Sequence, residues 1–173
     1  MINRFIILGA AWTSLLAGCA TDPVVLAPVG PNPVGLESKA TTGQLEVFSS
    51  LVEQCDDQNQ AGDGSPVWYQ HSDYRIYSLH GKLVRYVGNS VGHYSQTPRL
   101  VSLPPGRYHV KALANNYLRV DVPVVIKPGR TTRVHLDNAW KLPGNTPEVA
   151  LISIPGGYAV GWRSEMPEES GVP

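Results

Sequence analysis

Strict two-residue alternation of apolar side chains, sustained through several consecutive segments, leaves a chain very few folds. It runs here from Arg99 to Leu136, RLVSLPPGRYHVKALANNYLRVDVPVVIKPGRTTRVHL. In Arg107–Ala112, Tyr108, Val110 and Ala112 share one face while Arg107, His109 and Lys111 share the other. In Tyr117–Ile126, Leu118, Val120, Val122, Val124 and Ile126 point one way, and Arg119 and Asp121 the other. Thr132, Val134 and Leu136 then face in, with Arg133 and His135 out. Period two is the signature of strands with one buried face. A slip of one residue would turn every apolar side chain to water, so the buried face also sets the register.

Turn chemistry separates these strands. Pro104-Pro105-Gly106, Asn115-Asn116 and Lys127-Pro128-Gly129 each supply residues that preset φ or tolerate the left-handed region. Pro123 falls on the outward set of its strand and has no N–H to donate, which predicts an edge strand or a bulge there.

The rest of the chain extends this pattern. Gly43–Ser49 alternates, with Leu45 and Val47 inward. Tyr74–Ser78 and Leu83–Val87 read as strands around a His80-Gly81-Lys82 turn, and both faces of the second are apolar. Val149–Ile154 and Tyr158–Arg163 flank Pro155-Gly156-Gly157 and read as a C-terminal hairpin, either a last pair of sandwich strands or a separate flap. Abundant Gly (17) and Pro (15), with no run of helix formers at helical spacing, point to an all-β protein. The expected fold is an antiparallel β-sandwich of about seven strands followed by the hairpin.

The first residues address the chain elsewhere. Met1–Arg4 carries one positive charge, and Phe5–Leu16 is apolar but short of the roughly 20 residues of a spanning helix. It ends in Leu16-Ala17-Gly18-Cys19, and here the chain resembles bacterial lipoprotein precursors. The resemblance implies a signal peptide over residues 1–18, cleavage before Cys19 and acylation of Cys19. The alternative is an ordinary signal peptide with an incidental cysteine. Several acyl chains would hold the protein at the membrane. Ala20, where sorting by resemblance would read an aspartate as retention, implies the outer membrane if the cell has two. Residues 19–42, interrupted by Pro23, Pro28, Pro31 and Pro33, read as a flexible linker reaching on the order of 70 Å. Residues 43–137 read as the sandwich, 138–163 as the hairpin extension and 164–173 as a disordered tail.

Charge and chemistry narrow the function classes. Formal net charge is zero, so no basic field draws nucleic acid. Asp57, Asn59 and Gly62 match the first, third and sixth places of an EF-hand loop. Ala61 and Trp68 occupy the fifth and twelfth, so the calcium ligand set is incomplete. Cys55, the one cysteine besides Cys19, has no intramolecular disulfide partner once Cys19 is acylated, and its acidic neighbours disfavour a thiolate. The histidines are His71, His80, His93, His109 and His135; only His109 and His135, both outward, suggest a surface metal pair, and solvated strand histidines are commoner. No metal and no cofactor are expected.

Gly88-Asn89-Ser90-Val91-Gly92 spells G-x-S-x-G, and Asp121 and His135 follow in hydrolase order. A nucleophile elbow needs strand, turn and helix on an α/β scaffold, which this sequence lacks. An envelope serine hydrolase using Ser90 is therefore the alternative reading. The preferred one is a non-catalytic binding or structural module. Trp68, Tyr69, Tyr77, Tyr94 and Trp140 lie in or beside loops, where aromatics stack on sugar or peptide, or else close the ends of a sandwich.

Leu103–Ala112 together with Pro128–Leu136 carry a second resemblance, to carboxypeptidase regulatory-like, or transthyretin-like, β-sandwich modules. It spans about Gly43 to Asp137 and implies about seven strands in two sheets and no catalytic residues. The expected partners are the membrane, through acyl chains on Cys19, and an envelope protein, peptide or glycan.

Overall fold

The computed structural model describes residues 23–33, 39–54, 67–92 and 94–164. The expected signal peptide, Cys19, Cys55, most of the EF-hand-like loop, His93 and residues 165–173 lie outside them.

The alternating segments form strands, as their period requires. In chain order they are β1 (Val24–Val25), β2 (Val29–Gly30), β3 (Gly43–Phe48), β4 (Leu51–Gln54), β5 (Trp68–His71), β6 (Tyr74–Ser78) and β7 (Leu83–Val87). There follow β8 (Val101–Leu103), β9 (Gly106–Ala114), β10 (Tyr117–Ile126), β11 (Thr131–His135), β12 (Leu151–Ser153) and β13 (Ala159–Arg163). The protein is all-β. The seven strands read from residues 43–137 and the two of the hairpin are present; β1, β2, β4 and β5 come in addition.

The larger sheet has the order β12-β13-β2-β10-β9-β6-β7, with β1 also paired to β10. The smaller has the order β11-β3-β8, and β4 and β5 pair separately. Most pairs are antiparallel, but β1 and β2 run parallel to β10, and β11 parallel to β3. The inward residues of both sheets make one core: Val110, Val120, Val122, Val124 and Ile126 from the larger meet Leu45, Val47, Val101, Leu103 and Val134 from the smaller.

Two findings differ from the sequence reading, and a third decides between alternatives it left open. First, part of the linker is not a linker. Val24 and Val25 pair with Val120 and Asp121, Val29 pairs with Val124, and Leu26 and Val29 are buried in the core. Two-residue strands are too short to display a period, and the prolines between them mask the apolar Val24-Val25-Leu26 run.

Second, Pro123 sits inside the larger sheet rather than at an edge or a bulge. It pairs across to His109, and its strand has neighbours on both sides. The Leu26 amide donates to the Asp121 carbonyl at 2.9 Å. In a parallel ladder the Leu26 carbonyl would next receive the amide of residue 123. Proline has none, so β1 ends there and pairing resumes at Val29. The bulge lies elsewhere, between Tyr117 and Arg119. That extra residue throws Leu118 out of the expected inward set, to 76% exposure.

Third, the C-terminal hairpin belongs to the sandwich. Trp162 and Arg163 pair with Gly30 and Val29. A Cβ on Gly161 would stand 2.5 Å from Val29 Cγ1 and 3.0 Å from the Arg133 carbonyl, so only glycine lets β13 approach this closely. The Tyr158 hydroxyl donates to the carbonyls of Leu136 (2.7 Å) and Asn115 (3.0 Å). Burial, with help from Asp137, pushes that phenol up to about 12, so the donor proton is kept.

Truncating Leu26 or Val29 to Ala in the full chain is expected to cost about 2–4 kcal/mol each, as core truncations do. Chemical denaturation measures this; substitutions in a true tether would leave the midpoint unchanged.

Candidate functional site

The parallel register of β3 and β11 builds the outer face of the small sheet from side-by-side pairs. Gln44 lies beside Thr131, Glu46 beside Arg133, and Phe48 beside His135. Arg133 Nε meets Glu46 Oε2 at 2.8 Å. The Phe48 ring stacks on His135 at 4.4 Å and 14°. Beyond β11 the chain doubles back: Asn138 takes φ 59°, in the left-handed region that Asn tolerates, and the Ala139 amide donates to Asp137 Oδ1. The reversal lays Trp140 on His135 at 4.6 Å and 8°. The imidazole is therefore clasped between two parallel rings. Trp162 from β13 closes on the edge of Trp140 at 5.9 Å and 79°.

The result is a cleft of about 210 Å³ lined by Asn32, Arg133, His135, Trp140, Lys141 and Trp162, among others. It is smaller than the roughly 300–1,000 Å³ of sites for drug-sized ligands, and has room for about one ring. Its aromatic walls are held in place by stacking, and two cations stand at its side. Burial pushes the His135 imidazole down to about 4, with Arg133 and then His71 adding to the effect. His135 is therefore neutral near pH 7. It supports Trp140 and brings no charge.

A second concavity, about 420 Å³, opens on the outer face of the large sheet between Arg75, Tyr77, Tyr86, Lys111 and Arg119, with Pro23 at its rim. Arg75 lies over the Tyr86 ring at 5.6 Å and Lys111 over Tyr77 at 5.2 Å. Asp121, read as an outward strand residue, is nearly buried. His109 Nδ1 lies 2.8 Å from its Oδ1 and Lys111 Nζ 3.8 Å from its Oδ2.

The five aromatics singled out in the sequence do not converge. Trp68 and Tyr94 meet edge to face at 4.9 Å. Tyr69 is exposed on β5, Tyr77 belongs to the large-sheet concavity, and only Trp140 lines the cleft. Trp162, Arg133, His135 and Lys141 were missed as its companions. Their alternation showed which way strand residues point, but nothing in the sequence announces that β13 comes to lie beside β11.

Ser90 is placed as a turn residue. Its hydroxyl donates to the Gly92 carbonyl at 2.5 Å and accepts from the Gly92 amide at 3.3 Å. Neither Asp121 nor His135 is hydrogen-bonded to it: the first is held by His109, the second by its ring stack. The residue this loop does lock in place is Asn89, nearly fully buried. Its amide nitrogen donates to the Val47 carbonyl (2.8 Å) and to Ser49 Oγ (2.9 Å), and its oxygen accepts from the Arg99 amide (3.0 Å). His109 and His135 stand on different sheets and make no metal pair. Among the described residues no group of three or more His, Cys, Asp or Glu could hold a metal ion. No described helix is long and apolar enough to cross a membrane.

The chain matches no protein-family model, no curated protein and no solved structure.

The depressed His135 pKa gives a signed pH effect. Between about 4 and 6.5 the unfolded chain binds a proton that the folded chain refuses. This contribution to stability is complete above 6.5 and is lost as pH falls toward 4, on the order of 3 kcal/mol in all. Denaturation midpoints measured across that window are expected to fall less steeply in His135→Phe, which keeps a flat ring and cannot titrate. Equal slopes would show that the imidazole does not refuse the proton.

Proposed function

We propose that this chain is a lipid-anchored, non-catalytic binding module of the bacterial cell envelope, held by acyl chains on Cys19. We further propose that its ligand, within the class of envelope glycans, peptides and proteins, is a glycan bearing a carboxylate. The observation that carries the ligand assignment is the Trp140–Trp162 cleft. Two indole rings near right angles wall a space the size of one sugar ring, and the clasped His135 keeps Trp140 from collapsing into it. Apolar sugar faces stack on indoles, while the Lys141 ammonium supplies charge for a carboxylate and the Arg133 guanidinium, paired through Nε with Glu46, offers the N–H groups that this pair leaves over. The anchor rests on Leu16-Ala17-Gly18-Cys19 following an apolar segment of signal-peptide length. The non-catalytic assignment is supported by the Ser90 hydroxyl, whose proton is engaged by a backbone carbonyl where a general base would have to be.

Two measurements test this. Mass spectrometry of the protein from its native membranes is expected to find Cys19 as the acylated first residue; an unmodified Cys19 would remove the anchor. Soluble peptidoglycan fragments titrated against the intrinsic tryptophan fluorescence of the mature chain are expected to bind. Trp162→Ala and Lys141→Ala should each weaken that binding about ten-fold, the size of one stacking or charge-assisted contact. Binding unchanged in both variants would place the ligand elsewhere, and no binding at all would dismiss this glycan class.

A further inference from the structure

The strands β1 and β2 change what an anchor at Cys19 would do. Read as a free linker, residues 19–42 would let the domain range far from the membrane. Instead Val24 is already paired to Val120, and Pro23 stands at the rim of the concavity on the outer face of the large sheet. Only the stretch from Cys19 to Pro23 is left to span, at most about 14 Å even fully extended. An acylated Cys19 would therefore hold this face of the protein within about one such length of the lipid headgroups.

The face is composed for that surroundings. Across the sheet, in register, run Val25, Asp121, Lys111, Arg75 and Tyr86. Arg119 lies one step along β10 toward Pro23, and Tyr77 and His109 form the next pair the other way. Two acids share this face: Asp121 takes His109 and Lys111, and Asp73 accepts the Tyr86 hydroxyl and, at 3.0 Å, the Asn89 amide, so the cations Arg75, Lys111 and Arg119 outnumber the carboxylates there by one. Arg75 and Arg119 have no carboxylate partner among the described residues, and Lys111 keeps about half its side chain exposed, 3.8 Å from Asp121. Val25 is 64% exposed in the same row. Two arginines without a carboxylate partner, a half-exposed lysine, tyrosines and an exposed valine gathered on one face match a headgroup layer, where basic side chains meet phosphate and tyrosine rings sit at the apolar boundary.

Resting on the anchored reading above, we infer that the outer face of the large sheet, around Arg75, Lys111 and Arg119, is a membrane-docking surface that lies against anionic phospholipid headgroups. Docking here also sets the orientation of the molecule. The Trp140–Trp162 cleft is built by β11 of the small sheet with β13, three strands from β9 in the large sheet, and shares no lining residue with the docked face, so docking leaves it open.

The test uses the acylated chain taken from native membranes. The Cys19 peptide is first checked by mass spectrometry, and the protein is then placed in vesicles of phosphatidylcholine alone or of an equal mixture with phosphatidylglycerol. The readout is the rate at which an amine-reactive label modifies Lys111, with Lys141 at the cleft as internal reference. In the anionic vesicles Lys111 labelling is expected to slow at least about five-fold, as one basic residue at a charged surface warrants, and to recover in high salt. Lys141 should label equally in both. Arg75→Gln combined with Arg119→Gln should abolish most of the slowing. Because both side chains are on the surface, the doubly substituted chain is expected to keep its denaturation midpoint. Equal Lys111 rates in the two vesicles, with Cys19 acylated, would overturn the docking surface and leave the anchor standing. An unacylated Cys19 would overturn both. Slowing by inorganic phosphate in phosphatidylcholine vesicles, to the same degree as by phosphatidylglycerol, would mark a site for soluble anions and overturn the membrane assignment.

Discussion

The strand Tyr117–Ile126 is hydrogen-bonded along both of its edges, to Gly106–Ala114 on one and to the two short N-terminal strands on the other. Its inward side chains Val120, Val122, Val124 and Ile126 are all 2% exposed or less. Each loses its apolar surface to the opposing sheet, at about 25 cal/mol for every Å² removed from water. A shift of register would forfeit the whole set at once. The placement of every other element follows from this strand. The β6–β7 hairpin is reached through β9, and the C-terminal hairpin is reached through β2, which Val29 fastens to Val124.

What could be read beforehand follows from the same physics. Val110, Ala112, Val120, Val122, Val124, Thr132, Val134 and Leu136 were legible as core because strand geometry writes itself as a period of two. Leu118 broke that rule, because a bulge is a defect in register and leaves no mark on composition. Asp121 broke it differently. It faces outward as its position requires, but Lys111 and His109 cover it. The strands at Val24 and Val29 were illegible because two residues cannot show a period, and what they bury depends on a partner nearly a hundred residues away in the chain, at Val120 and Val124. The cleft is a long-range product of the same kind. Trp140 was suspected for being aromatic in a loop, but its neighbour Trp162 arrives through β2, an element the sequence did not disclose.

The two outer faces of the sandwich differ in chemistry. The small sheet carries stacked rings around an uncharged imidazole, with Arg133 and Lys141 at the cleft. The large sheet carries cations laid over tyrosine rings, and the chain enters it from its N-terminal side. If the chain is anchored at Cys19 as proposed, the molecule is fastened near one face, offers a shaped cleft elsewhere and so has a built-in direction. That direction is the consequence of integrating residues 23–33 into the fold, since a long flexible spacer would average over all orientations.

Amide hydrogen exchange reads directly whether residues 23–33 belong to the fold. In the folded protein, the Leu26 amide, bonded to the Asp121 carbonyl at 2.9 Å, is expected to be protected to a degree comparable with the amides of Val120, Val122 and Val124. Exchange of Leu26 and Val29 at the rate of an unstructured peptide, beside a protected β10, would contradict it.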